Sequence, residues 1–153
     1  MASAHWYGAV QSVVVQYVPD AGGGFTFPLT FPASTTAESD RSVAASVGGS
    51  MRTWPVVTVH GPVTDPVVEV GADVRFALRT ALGAGESIVI DTRPWSRTVT
   101  RGGASVAGLL SPYSTRLSAA SLPPGVYEVV LRGVSAEGTA TAEVAWRDAY
   151  ATY

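Results

Sequence analysis

A chain of 153 residues is long enough for one domain with its own core and argues against two. It has no Cys, which excludes a disulfide framework and thiolate metal sites, and its 14% charged residues and net charge of −2 exclude the broad basic footprint of a nucleic-acid-binding protein. No apolar run approaches the roughly 20 residues of a membrane span, and the first six residues lack the basic and apolar stretches of a secretory signal. All ten basic residues are Arg, neither Lys nor Asn occurs, and 23 residues are Val. That composition fits a soluble domain with no assembled chemistry.

Taken in chain order, period two dominates. Residues 1–24 hold one strand-like run, in which Val13, Val15 and Tyr17 alternate, and end in Gly22-Gly23-Gly24. They read as an N-terminal arm or linker ahead of a β-sandwich over 25–153. The arm either donates a strand to the sandwich or projects toward another subunit, and Val13-Val14-Val15 carries no charge to block pairing. In 25–32, Phe25, Phe27, Leu29 and Phe31 share one face of an extended segment, while Pro28 and Pro32 confine it to a sheet edge. Residues 33–50 are rich in Ser, Thr, Ala and Gly and read as a long loop, with room for one helical turn.

Strand-sized runs then recur at 55–60, 66–70, 73–80, 86–91, 97–101, 126–132 and 139–146. The cleanest is 73–80, which turns Val74, Phe76 and Leu78 inward and Asp73, Arg75 and Arg79 outward. Turn-forming clusters separate the runs, among them His60-Gly61-Pro62, Gly83-Ala84-Gly85, Arg101-Gly102-Gly103 and Pro123-Pro124-Gly125. No window of about 12 residues shows a helical period. Short strands at this spacing predict an all-β sandwich or barrel.

Little in the sequence assembles a reaction centre. Of the two histidines, His5 lies near the terminus and His60 ends a strand, where a half-exposed polar role suits it. A zinc site needs a cluster of ligands that the sequence lacks, there is no Gly-x-Ser-x-Gly elbow, and no metal or cofactor is expected. Glu69, Glu86, Asp91, Glu128 and Glu143 lie in or beside strands. A glycosidase would need two such carboxyls about 5 Å apart, or roughly 6.5–9.5 Å for inversion. Outward-facing acids on half-solvated strands are the ordinary expectation, with Glu128 and Glu143 the most plausible pair.

Aromatic residues carry the better binding argument. Trp54 precedes Pro55 and Trp95 follows Pro94, so both occupy turn-like settings where a ring can be exposed. They are the candidate contacts for a glycan or a protein partner. Trp146 falls on the inward face of the last strand and reads as core. Arg75, Arg79, Arg97 and Arg101 are outward candidates for an interface.

The ordered segments Gly24-Phe25-Thr26-Phe27-Pro28-Leu29, Gly48-Gly49-Ser50, Trp54-Pro55-Val56-Val57-Thr58-Val59-His60-Gly61-Pro62, Asp65-Pro66-Val67-Val68, Gly85-Glu86-Ser87-Ile88-Val89-Ile90-Asp91-Thr92, Leu122-Pro123-Pro124-Gly125 and Val144-Ala145-Trp146-Arg147-Asp148-Ala149-Tyr150 resemble the C-terminal domain of the siphophage distal tail protein family, minor tail proteins among them. The resemblance covers about 24–150. It implies a galectin-like or jelly-roll sandwich without enzymatic activity or cofactor, placed in the virion at the tail tip or baseplate and assembled in the host cytoplasm. It also implies homo-oligomeric rings, commonly hexameric, contacts with other tail proteins, and room for contact with host surface glycan, but none with nucleic acid or membrane. The family's ring-forming belt domain has no counterpart here. Only 1–24 precedes the sandwich, and Val13–Asp20 resembles the end of that missing half.

Overall fold

In the computed structural model, the described residues are 5–19, 42–135 and 138–151. The chain is an all-β sandwich built from two sheets that share their first strand. The elements are β1 His5–Pro19, β2 Val43–Val47, β3 Val56–His60, β4 Val63–Val70, β5 Val74–Ala77, β6 Ala81–Leu82, β7 Ser87–Asp91, β8 Thr98–Arg101, β9 Ala104–Ser105, β10 Gly125–Val134 and β11 Thr141–Ala151. Two single 3-10 turns, Ala107–Leu109 and Leu117–Ala119, interrupt the long connection between β9 and β10. Among the described residues there is no α-helix.

The first sheet runs β1-β11-β3-β7-β8-β9 and is antiparallel throughout. The second is centred on β10, which pairs with β4 on one side and with β2 on the other. β4 is flanked in turn by β5 and β6. β1 pairs antiparallel with β11 over 5–16, and then Tyr17, Val18 and Pro19 pair parallel with Leu131, Arg132 and Gly133 of β10. The strand therefore leaves one sheet and enters the other without a turn.

Alternation explains why these segments are strands. Val57 and Val59 of β3, Val68 and Val70 of β4, Ile88 and Ile90 of β7, and Val129 and Leu131 of β10 are all buried, with more exposed residues between them. These β-branched and aliphatic side chains meet in one continuous core between the sheets. Val74, Phe76 and Leu78 point inward as their spacing predicts, and Trp146 is 4% exposed.

Of the two outcomes open to the N-terminal segment, residues 5–19 follow the first. Val15 and Tyr17 are buried in the core, and the Tyr17 hydroxyl donates to the Gly133 carbonyl at 3.0 Å while accepting from the Ser135 amide at 3.2 Å. These bonds sit where β1 changes sheets. Gly133 is at φ +149, and a Cβ there would meet the Val63 side chain at 2.9 Å, so the crossing requires glycine. The loop expected over 33–50 is corrected at its end, because 43–47 form β2, with Ala45 and Val47 buried. Ala and Ser are weak strand formers, so this strand is imposed by the free flank of β10 rather than by local preference. The alternating Phe25–Phe31 face lies outside the described residues.

Two outcomes follow. Deleting residues 1–20 removes a strand from both sheets and abolishes the cooperative unfolding transition seen by circular dichroism. Trp146→Ala lowers stability by roughly 3–5 kcal/mol in denaturant titration, the cost of emptying a large core site.

Candidate functional site

At one end of the first sheet a cleft of about 330 Å³ opens between β1, β11 and β3 and the loops that precede β3 and follow β7. Tyr7 and Val10 come from β1, Ala145, Trp146 and Arg147 from β11, and Val56 from β3. Thr53, Trp54, Arg93 and Trp95 come from the two loops. The sequence-predicted candidates Trp54 and Trp95 thus line one cavity, although 41 positions separate them. Trp95 is 63% exposed and Trp54 is half-buried.

The rings are held by cations and edges. Tyr7 meets Trp95 edge-to-face, with ring centroids 6.0 Å apart. The Arg93 guanidinium lies 5.7 Å from the Trp95 ring centre, and that of Arg97 lies 5.2 Å from Trp54. Arg97 reaches its place from a left-handed backbone, φ +46, which a non-glycine residue adopts only when its surroundings hold it.

Asp91 governs this loop. It is buried at the end of β7, where its carboxylate accepts from Arg93 Nε at 2.8 Å, from Arg93 Nη2 at 2.6 Å and from the Arg93 amide at 3.1 Å. This two-pronged contact fixes the guanidinium under Trp95. Next to it, the Thr92 hydroxyl donates to the Pro55 carbonyl at 2.7 Å and ties the loop to the segment carrying Trp54. Burial pushes the Asp91 carboxyl up, but hydrogen bonds from the Arg93 side chain and backbone outweigh it, and its pKa lies below the ordinary 3.8.

The far wall depends on Asp148. Its carboxylate accepts from the Trp146 indole at 3.1 Å, from the Gly48 amide at 3.0 Å and from the Gln11 side chain at 3.0 Å. One side chain therefore ties β11 to β1 and to the Gly48-Gly49 segment. Gly49, at φ +87, bridges to Ala149, and a Cβ there would lie 2.4 Å from the Ala149 carbonyl oxygen. The buried Thr53 hydroxyl donates to the Arg147 carbonyl and closes the floor.

Among the described residues the carboxylates do not gather into a cluster. Glu128 and Glu143 alternate with buried neighbours on β10 and β11, and so face outward from different sheets. Glu69 pairs with Arg75 and Arg132, and Glu86 with Arg101. His60 is exposed at the end of β3. Among the described residues no group of His, Cys, Asp or Glu could hold a metal ion. Of the proposed interface arginines, Arg97 stacks on Trp54 beside the cleft, whereas Arg101 is occupied by Glu86, Thr80 and the Ala81 carbonyl.

Sequence reasoning missed Tyr7, Val10, Arg93 and Arg147. Arg93-Pro94-Trp95 signalled only a turn, and no local pattern reveals that the first strand lies beside the last. Comparison with family models, with curated proteins and with solved structures returns no match.

Because the folded Asp91 pKa is lowered, the native state holds that proton less tightly than the unfolded chain. The clamp contributes stability above the ordinary carboxylate range and loses it as pH falls through the lowered value. Asp91→Asn is expected to reduce stability at neutral pH and to flatten part of its decline between about pH 5 and pH 2. Thermal melts across that range, read by tryptophan emission, check the expectation.

Proposed function

We propose that this chain is a non-enzymatic structural component of a bacteriophage tail that acts through protein–protein assembly at the tail tip, with the aromatic cleft as its docking face. The resemblance to distal tail proteins supports the tail setting, together with the family's galectin-like form and homo-oligomeric, ring-like assembly. One observation carries the role of the cleft: three separated segments of that resemblance converge on it. Trp54-Pro55-Val56, Ile90-Asp91-Thr92 and Ala145-Trp146-Arg147-Asp148 supply its walls, its loop clamp and its supporting carboxylate. A surface of Trp, Tyr and Arg backed by a rigid sheet has the composition of an interface centre.

A second reading has its own observation. Trp95 offers an exposed ring above a cleft of the size that admits a small ligand, which suits stacking against a sugar of the host surface. The two uses are compatible on one face.

Mass spectrometry of purified tail particles tests the assignment: the polypeptide should be present, and tails complete without it would sink the proposal. Trp95→Ala, at an exposed position, is expected to leave the melting temperature nearly unchanged while removing the chain from particles. If that variant still assembles but no longer sediments with host cell wall, the cleft serves glycan binding instead.

A further inference from the structure

The strand edges of this sandwich are treated unequally. β9, at one end of the first sheet, is only two residues long. β5 is covered by the connection that follows β9. The Arg75 and Ala77 amides donate to the side chains of Thr115 and Ser114, and the Arg75, Ala77 and Leu109 carbonyls accept from the Thr115, Ser111 and Arg79 amides. β2 offers five residues. β1 differs from all of these. Over 7–16 one of its edges pairs with β11, and among the described residues no strand pairs with the other.

That edge carries no charge and no proline, two of the devices that discourage pairing, and the irregularity between Tyr7 and Val10 leaves 10–16 as its regular stretch. Ala9, Val10, Gln11 and Ser12 are exposed in succession, regardless of which face each side chain takes. Val10 and Val14, both outward, are 57% and 55% exposed. The edge is also continuous with the cleft, because Tyr7 and Val10 belong to both.

Charge identifies the occupant. Asp91 offsets Arg93, but among the described residues Arg147 and Arg97 have no carboxylate partner. Among those residues Asp148, next to Arg147, takes only the neutral donors Trp146, Gly48 and Gln11, so Arg93, Arg97 and Arg147 stand against Asp91 and Asp148 and leave one positive charge around the cleft, in a chain whose net charge is −2. A second copy pairing β1 with β1 would bring no Asp or Glu, since 5–19 contains none. We infer that the open edge of β1 accepts an extended segment of a partner protein as an added strand, with an acidic side chain of that segment seated against Arg147 at the rim of the aromatic cleft. Backbone hydrogen bonds along β1 supply affinity, and the cleft and its guanidinium supply selectivity. The inference rests on the docking role proposed for the cleft and names the class of partner.

The test uses the full chain and a set of fluorescein-labelled ten-residue peptides of alternating Val and Thr. Each carries one Glu, moved through all ten positions, and has a matched Gln peptide. Fluorescence anisotropy should show some Glu positions binding roughly tenfold more tightly than their Gln counterparts. Arg147→Ala should bring those Glu peptides down to the Gln level and leave the Gln peptides unchanged. N-methylation of one alternate set of peptide amides should abolish binding while the other set is tolerated, and those amides of 8–14 that point away from β11 should gain protection from hydrogen exchange. The inference is overturned if no Glu position exceeds its Gln control or if both N-methylated sets bind equally. It is also overturned if the amides of 8–14 that point away from β11 are already protected without peptide, since the edge is then filled by a second copy or by the chain itself. A chain found in tail particles that fails here keeps its tail role and loses this partner class.

Discussion

The structure depends on a single strand serving two sheets. For 12 residues β1 is the antiparallel neighbour of β11, and then, from Tyr17, the parallel neighbour of β10. A strand can make this transfer only if the bulk of its side chains and the backbone at the crossing permit two sheets to approach. Glycine at 133 provides the space, and the Tyr17 hydroxyl fills the polar requirement that the crossing creates. Everything else follows from the seam. With β1 in place, β10 is flanked on both sides, the core is continuous, and β11 is held next to the loop that bears Trp54.

Two carboxylates then convert the end of this seam into a rigid surface. Asp91 and Asp148 have different surroundings but the same mechanical effect. Each is a short acceptor that gathers several donors: Asp91 from its own loop, and Asp148 from its own strand and from two segments distant in sequence. Aromatic rings on a loop ordinarily sample several rotamers. Here the Trp95 ring is backed by the Arg93 guanidinium, which Asp91 holds in place, so less ordering remains to be done when a partner arrives. The short loop after β7 bears that role through its left-handed Arg97 as well.

The fold was legible where a local pattern decides burial. Alternating Val, Ile and Phe in β3, β4, β5, β7, β10 and β11 fixed both strand identity and inward face, because a one-residue slip would put each of them in water. β2 was not legible, since Val43-Ala44-Ala45-Ser46-Val47 acquires its strand form from β10. The site was legible in part. Trp54 and Trp95 could be chosen from their proline neighbours, but their meeting in one cleft, and the contribution of Tyr7 and Arg147 to it, are products of long-range pairing. Asp91 illustrates the limit: the sequence marks it as an acid beside a strand, while its role as the clamp on Arg93 depends on the turn that brings residue 93 back.

The pairing of His5 with Ala151 has a mechanical consequence. The first and last strands run side by side in opposite directions, with their outer ends together. A load applied through the two ends would part the ladder between β1 and β11 one hydrogen bond at a time, as a zipper opens, instead of shearing the whole row at once. Such a domain yields at low force when pulled by its ends. It resists far better when gripped across its sheets, so load carried by this sandwich is best transmitted through its faces and edges.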